Sequence, residues 1–143
     1  MDIDEIIENF EILDDWDDRY KYLIELGTML DELPEAERTR ENKVQGCVSQ
    51  VWVTSAKSEG PEPVLTFTGA SDAHIVSGLI AITFALFSGR KAKEILELDE
   101  KQVFGRINLS EHITPQRSNG LRALVERIKS DAAAAIAGAA AGV

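Results

Sequence analysis

The chain has 143 residues and a single cysteine, Cys47. One cysteine cannot form an intramolecular disulfide, so nothing in the sequence indicates an oxidising compartment. A metal centre is also not expected. The other candidate ligands, His74 and His112, lie far from each other and from Cys47 in sequence, and no C-x-x-C or H-E-x-x-H spacing occurs.

Long apolar runs and basic residues near the start are also missing. The longest nearly apolar stretch, residues 75–87, is short of the roughly 20 residues that span a bilayer. Residues 1–10 carry four acids and no base, the opposite of a signal or transit peptide. The sequence therefore predicts a soluble, cytoplasmic protein that does not bind membranes.

Positive charge is scarce: 15 Lys and Arg stand against 25 Asp and Glu, a net charge of 15 − 25 = −10. Such a chain repels phosphate backbones, so nucleic acid is not an expected partner. The acids concentrate in residues 1–37, where 14 acids and two bases give −12. This segment is either a solvated acidic helix face or a docking surface for a basic partner.

The remaining pattern predicts one α+β domain over residues 1–131. Two helices are expected within residues 1–33, with Asp2 capping the first and the second ending near Leu33. β-branched residues from Ser49 onward, a Pro- and Gly-containing turn at 59–63 and a second strand at 64–68 predict an antiparallel hairpin.

Helices dominate the second half. Asp72 is the expected N-cap of a buried central helix over residues 73–87. Short helices follow near residues 91–98 and 100–104, and a long one begins at Thr114-Pro115. Residues 132–143 are rich in alanine and glycine, and we expect this tail to fray.

The main candidate for a reactive residue is Cys47, which lies between a polar loop and the hairpin. Gly46 permits a tight turn that would present the sulfur, and reactive groups concentrate on loops. The alternative is an inert buried cysteine, since free cysteine is often buried. His74 is interpreted as a partly exposed structural histidine and Arg117 as a capping or ion-pair arginine. No phosphate loop or other cofactor motif is found.

Four ordered blocks resemble the SufE family, the sulfur acceptors of iron–sulfur cluster biogenesis. The first is the segment around the cysteine, Gln45-Gly46-Cys47-Val48-Ser49-Gln50-Val51-Trp52. The others are residues 16–26, the segment from Ser71 through Ala81, and Thr114-Pro115-Gln116-Arg117-Ser118-Asn119-Gly120-Leu121. His74 and Ser77 depart from residues common in that family.

The resemblance implies the SufE/NifU (IscU-like) fold, with a roughly three-stranded antiparallel sheet packed by helices. It implies that Cys47 takes persulfide sulfur from a SufS-type cysteine desulfurase, stimulates that enzyme and passes sulfur to a SufBCD-type scaffold. The chain would then be a carrier and activator rather than an enzyme, with no cofactor of its own, because the pyridoxal phosphate belongs to the desulfurase.

Supporting roles are also expected around Cys47. Gly46, Ser49 and Asp72 would support its loop, and Arg117 would contact the partner or an anion. Apolar residues are expected to cover the sulfur in the free protein, which disfavours the thiolate. The alternatives left open are a CsdE-type acceptor for a different desulfurase, a single-cysteine redox sensor and an interaction module with an inert cysteine.

Overall fold

A computed structural model describes residues 2–46, 49–108 and 113–141 of the chain. Three strands form one antiparallel sheet in the order β1 (Val51–Lys57), β2 (Val64–Ser71) and β3 (Arg90–Lys91). The helices are α1 (Ile3–Ile12), α2 (Trp16–Thr28), α3 (His74–Phe87), α4 (Ala92–Glu97), α5 (Glu100–Arg106) and α6 (Pro115–Ala141), with a 3-10 turn at Glu35–Glu37. The predicted α+β class and three-stranded antiparallel sheet are confirmed.

The predicted hairpin is formed by β1 and β2, in a register that pairs Val51 with Ser71 and Lys57 with Leu65. Side-chain burial alternates along the first half of β1, where Val51 and Val53 are buried and Trp52 is half-buried. Because neighbouring strand residues point to opposite faces, Val51 and Val53 face the core and Trp52 faces away from it.

The central helix α3 is buried on two sides, as its nearly continuous apolar sequence predicts. Ile80, Phe84 and Phe87 pack with the sheet, α4 and α6 in one core cluster. Leu79 and Ile82 pack with α1 and α2 in a second cluster. Thus α3 is the layer that joins the acidic N-terminal helices to the sheet.

Asp72 does not cap α3, so that prediction is wrong. The N-cap position is Ala73, and it makes no side-chain capping bond. The reason is that β2 continues to Ser71, beyond the predicted end at residue 68, and Asp72 becomes a strand-end residue. Its carboxylate bonds across to the neighbouring strand instead, as described below.

Helix α2 ends at Thr28, earlier than the predicted end near Leu33. The Thr28 hydroxyl donates to the Glu25 carbonyl at 2.6 Å, and the N–H of Met29 donates to the Leu26 carbonyl at 3.0 Å. The backbone bond of Met29 is of the 3-10 type that tightens a last helical turn, and the Thr28 hydroxyl satisfies one of the last carbonyls.

The tail also differs from the expected frayed segment. Helix α6 runs without a break through Ala141, and Ala132 and Ala135 are buried in the core cluster of the sheet. Alanine is the strongest helix former, and here two alanines also provide a flat surface for packing.

Candidate functional site

Cys47 and Val48 lie outside the described residues, and so does His112. The structure describes the chain on both sides of the cysteine, through Gly46 and from Ser49 onward. Two backbone bonds fix these flanks: the N–H of Val44 donates to the Val51 carbonyl and the N–H of Val53 donates to the Asn42 carbonyl, each at 2.8 Å. Residues 45–50 therefore connect two chain segments that are hydrogen-bonded to each other.

Gly46 has a φ of 90°, in the left-handed region that favours glycine. A Cβ at this position would lie 3.6 Å from the Cβ of Ala123, so Gly46 also packs near α6. Glycine is therefore favoured immediately before Cys47 because of its backbone conformation, and not because a side chain there would lack space.

Asp72 is bonded to the other flank of the cysteine. The N–H of Gln50 donates to Asp72 Oδ1 at 3.1 Å, and the N–H of Asp72 donates to the Gln50 carbonyl at 3.4 Å. The Asp72 side chain is exposed, so this pair joins the exit from the cysteine segment to the end of β2 at the surface.

An apolar cleft of about 410 Å³ opens beside Ser49. Its described lining comes from three elements: Ser49 and Val51 beside the cysteine segment, Val76, Leu79 and Ile80 from α3, and Thr114, Gln116, Arg117, Gly120, Leu121 and Leu124 around the start of α6. The α3 contribution follows from the sequence pattern. The sequence pattern does not predict the α6 contribution, because an apolar stripe does not indicate which distant helix it packs against.

Arg117 is one of the polar residues of this lining. Its backbone N–H donates to the Thr114 hydroxyl at 3.2 Å, which confirms the predicted cap of α6. Its half-buried side chain makes no ion pair with another described residue, so the interpretation as an ion-pair arginine finds no partner there.

Two further residues singled out by the sequence lie on α3. His74 is its first residue and is exposed. Ser77 lies at the crossing with α2, where a Cβ on Gly27 would come within 2.9 Å of the Ser77 Cβ. Neither residue lines the cleft beside Ser49.

Within the described ranges, no group of three or more His, Cys, Asp or Glu side chains is arranged to hold a metal ion. In the same part of the chain, no helix is both long and apolar enough to cross a membrane.

Comparison with known families gives one match that covers most of the chain. The model of the SufE family, described as an Fe–S metabolism associated domain, matches residues 4–132. This range includes the cysteine segment, the central helix and the capped start of α6.

Curated relatives agree with this family match. An uncharacterized SufE-like protein of Rhizobium meliloti is 57% identical over 131 residues, covering 91% of this chain and 94% of its own length. A second uncharacterized SufE-like protein, from Rhizobium etli, is 54% identical over 131 residues. The match covers 91% of this chain and 88% of that protein.

Among solved structures, the solution structure of a hypothetical protein from Thermus thermophilus is similar in fold. It has a TM-score of 0.74 at 20% identity, and the match covers 94% of this chain and 96% of that one. At this identity the likeness supports the fold and nothing finer.

Proposed function

This chain belongs to the SufE family, and from that premise we propose that it carries sulfur as a persulfide on Cys47. Family membership supports a sulfur-acceptor role in iron–sulfur metabolism. The observation that carries the finer proposal is that the matched range, residues 4–132, contains the chain's single cysteine.

The proposed step is a thiol displacement. A cysteine desulfurase of the SufS type, whose own pyridoxal phosphate releases sulfur from free cysteine, offers a persulfide on its cysteine. The Cys47 thiolate attacks the outer sulfur, a bond forms between that sulfur and Cys47 Sγ, and the bond to the partner's sulfur breaks. The partner leaves as a thiolate, so the step needs no oxidant or reductant.

Removing the product in this way frees the desulfurase for its next turnover, so the chain acts as carrier and activator rather than as an enzyme. The Cys47 persulfide then passes its outer sulfur to a SufBCD-type scaffold in the cytoplasm. Neither step requires a cofactor bound to this chain.

The cleft beside Ser49 supports a further part of the proposal, that the sulfur is covered until the partner docks. Its lining is apolar on the side of Val51, Val76 and Leu124. A thiol held against such a surface favours its neutral form and is protected from oxidants. The Asp72–Gln50 pair on one flank would hold the segment closed, and Gly46 on the other would permit it to swing when the partner docks.

The test is Cys47→Ser. Incubated with a cysteine desulfurase and free cysteine, the wild-type chain should gain about 32 Da, one sulfur atom, and should stimulate the desulfurase. The serine variant should do neither, while its cooperative unfolding and melting temperature stay close to wild type because serine differs from cysteine by one atom.

Persulfide labelling of the serine variant at the wild-type level would contradict the assignment. A wild-type chain that gains no sulfur from an active desulfurase, and instead gains about 16 Da under peroxide, would favour the redox-sensor alternative. Loss of cooperative unfolding in the serine variant would show that Cys47 is structural.

A further inference from the structure

We propose that a basic pocket beside the cysteine segment binds a carboxylate-rich segment of the sulfur-donating protein. This inference rests on the proposed function and names the chemistry of its partner surface. The pocket has a volume of about 550 Å³, and its described lining is Arg38, Thr39, Arg40, Lys43, Gln45, Gln50 and Trp52. Three of these residues are cationic and none is acidic.

The backbone that carries Arg40 and Lys43 is a hydrogen-bonded turn. The N–H of Lys43 donates to the Arg40 carbonyl at 3.2 Å, and the N–H of Asn42 donates to the Thr39 hydroxyl at 3.3 Å. The Asn42 side chain donates to the Glu37 carbonyl at 2.8 Å. Arg40 and Lys43 therefore project from a backbone turn that is already ordered, so binding need not order that backbone.

The pocket and the apolar cleft lie on opposite sides of β1. Lys43 pairs with Trp52 in an isolated antiparallel bridge, so their side chains share a face. That face points away from the core, whereas Val51, in the cleft, faces the core. Since Gln45 and Gln50 line the pocket, it begins on both flanks of the cysteine segment.

The cations in the pocket are poorly neutralised by this chain. Among the described residues, no carboxylate oxygen lies within 4.0 Å of a side-chain nitrogen of Arg40 or Lys43. Arg38 lies over the Trp52 ring, 5.5 Å from its centroid, and its buried Nε has no hydrogen-bond acceptor among the residues described. Within the part of the chain that the structure describes, its ion-pair contact is Glu35 at 3.8 Å, whose side chain is 91% exposed.

A partner that reaches Cys47 comes close to this pocket, because the pocket borders the flanks of that residue. Covering cations without supplying acceptors costs free energy, whereas carboxylates that meet them strengthen association. Arginine presents a planar fork that matches a carboxylate. Residues 1–37 carry 14 acids and two bases, so an acidic segment would be repelled by the N-terminal helices and attracted here.

The test compares two double variants with the same change in charge. Arg40→Glu with Lys43→Glu reverses the pocket, and Lys93→Glu with Lys101→Glu is the control. Lys93 and Lys101 are exposed on α4 and α5, which follow β3 at the opposite edge of the sheet. The probe is the cysteine desulfurase that the wild-type chain stimulates, and its Kd is measured at about 50 and about 300 mM NaCl.

We expect the pocket variant to raise Kd by at least about tenfold at low salt and to lose most of its salt dependence, with the control within about twofold of wild type. Equal weakening by both variants, or no weakening by the pocket variant, would overturn the inference. At saturating desulfurase the pocket variant should still gain sulfur on Cys47. If the wild-type chain gains none, the proposed function fails, independently of the Kd comparison.

Discussion

At the scale of single residues, Asp72 makes a contact that its predicted role as an N-cap did not indicate. An aspartate before an apolar run is typical of an N-cap. Here the same carboxylate accepts from the N–H of Gln50 because β2 extends to Ser71. The side chain thus connects the end of a strand to the flank of the cysteine segment, and its removal should act on that segment rather than on α3.

Asp72→Ala should therefore increase the reactivity of Cys47. In the wild-type chain we expect slow alkylation, which accelerates when a desulfurase lacking its own reactive cysteine is added. The variant should be alkylated several-fold faster than wild type without any partner. Its stability should fall by only about 0.5–1.5 kcal/mol, the net value of one hydrogen bond.

Asp99→Ala is the matched control, because Asp99 Oδ1 accepts from the N–H of Lys101 at 3.1 Å, at the start of α5. This variant loses a bond of the same kind and should leave alkylation unchanged. Equal alkylation rates in the two variants would refute a role for Asp72 in closing the segment, and fast alkylation of the wild-type chain alone would refute the cover itself.

At the scale of secondary-structure elements, α2 and α3 cross at a close backbone contact. Gly78 packs against the backbone of Leu23 so closely that a Cβ would clash with the Leu23 carbonyl. On the facing helix, a Cβ on Gly27 would lie 2.8 Å from the backbone nitrogen of Gly78. The two helices therefore touch through their backbones, as only glycine allows.

Gly78→Ala should lower the free energy of unfolding by about 2 kcal/mol, because overpacking at this contact exceeds the gain in helix propensity. Gly105→Ala is the matched control. Gly105 lies in α5 with nothing within 4 Å of an added Cβ, so alanine there should be neutral or stabilising by up to about 1 kcal/mol. Denaturant titration measures both, and equal midpoints for the two variants would contradict the backbone contact.

The end of α6 is the second element whose contribution can be measured. Ala132 is fully buried and Ala135 is 5% exposed, in the same core cluster as Leu65. A chain ending at Asp131 should lose about 2 kcal/mol of stability through uncovered apolar surface. A chain ending at Ile136 keeps both alanines and should stay within about 0.5 kcal/mol of the full chain. Equal melting temperatures for the two truncations would show that this end of the helix contributes nothing.

At the scale of the whole molecule, periodicity and turn chemistry predict the elements but not their mutual contacts. The hairpin, the buried α3 and the Thr114 cap of α6 follow from local signals: alternation, an apolar run and a Ser/Thr-Pro start. The apolar cleft does not, because it joins segments far apart in sequence. The basic pocket does not either, because its residues come together only through the pairing of Lys43 with Trp52. The described residues also stop short of Cys47 itself, so its chemistry stays a prediction.

Charge is distributed unevenly over the molecule, and this has a consequence for stability. Residues 1–37 carry 14 acids and two bases, whereas the rest of the chain is slightly basic at 13 − 11 = +2. Like charges on α1 and α2 repel one another in the folded state, and salt screens that repulsion. The melting temperature should therefore rise by a few degrees between about 20 and about 300 mM NaCl.

The variant that tests this origin is Glu8→Gln with Glu25→Gln. Both side chains are exposed, on α1 and α2, and neither makes an ion pair with a described residue. Removing two of the repelling charges should raise the melting temperature at low salt and reduce its salt dependence. A salt response as large as that of wild type would show that the effect arises elsewhere, and a lower melting temperature would show that these carboxylates stabilise the fold through contacts.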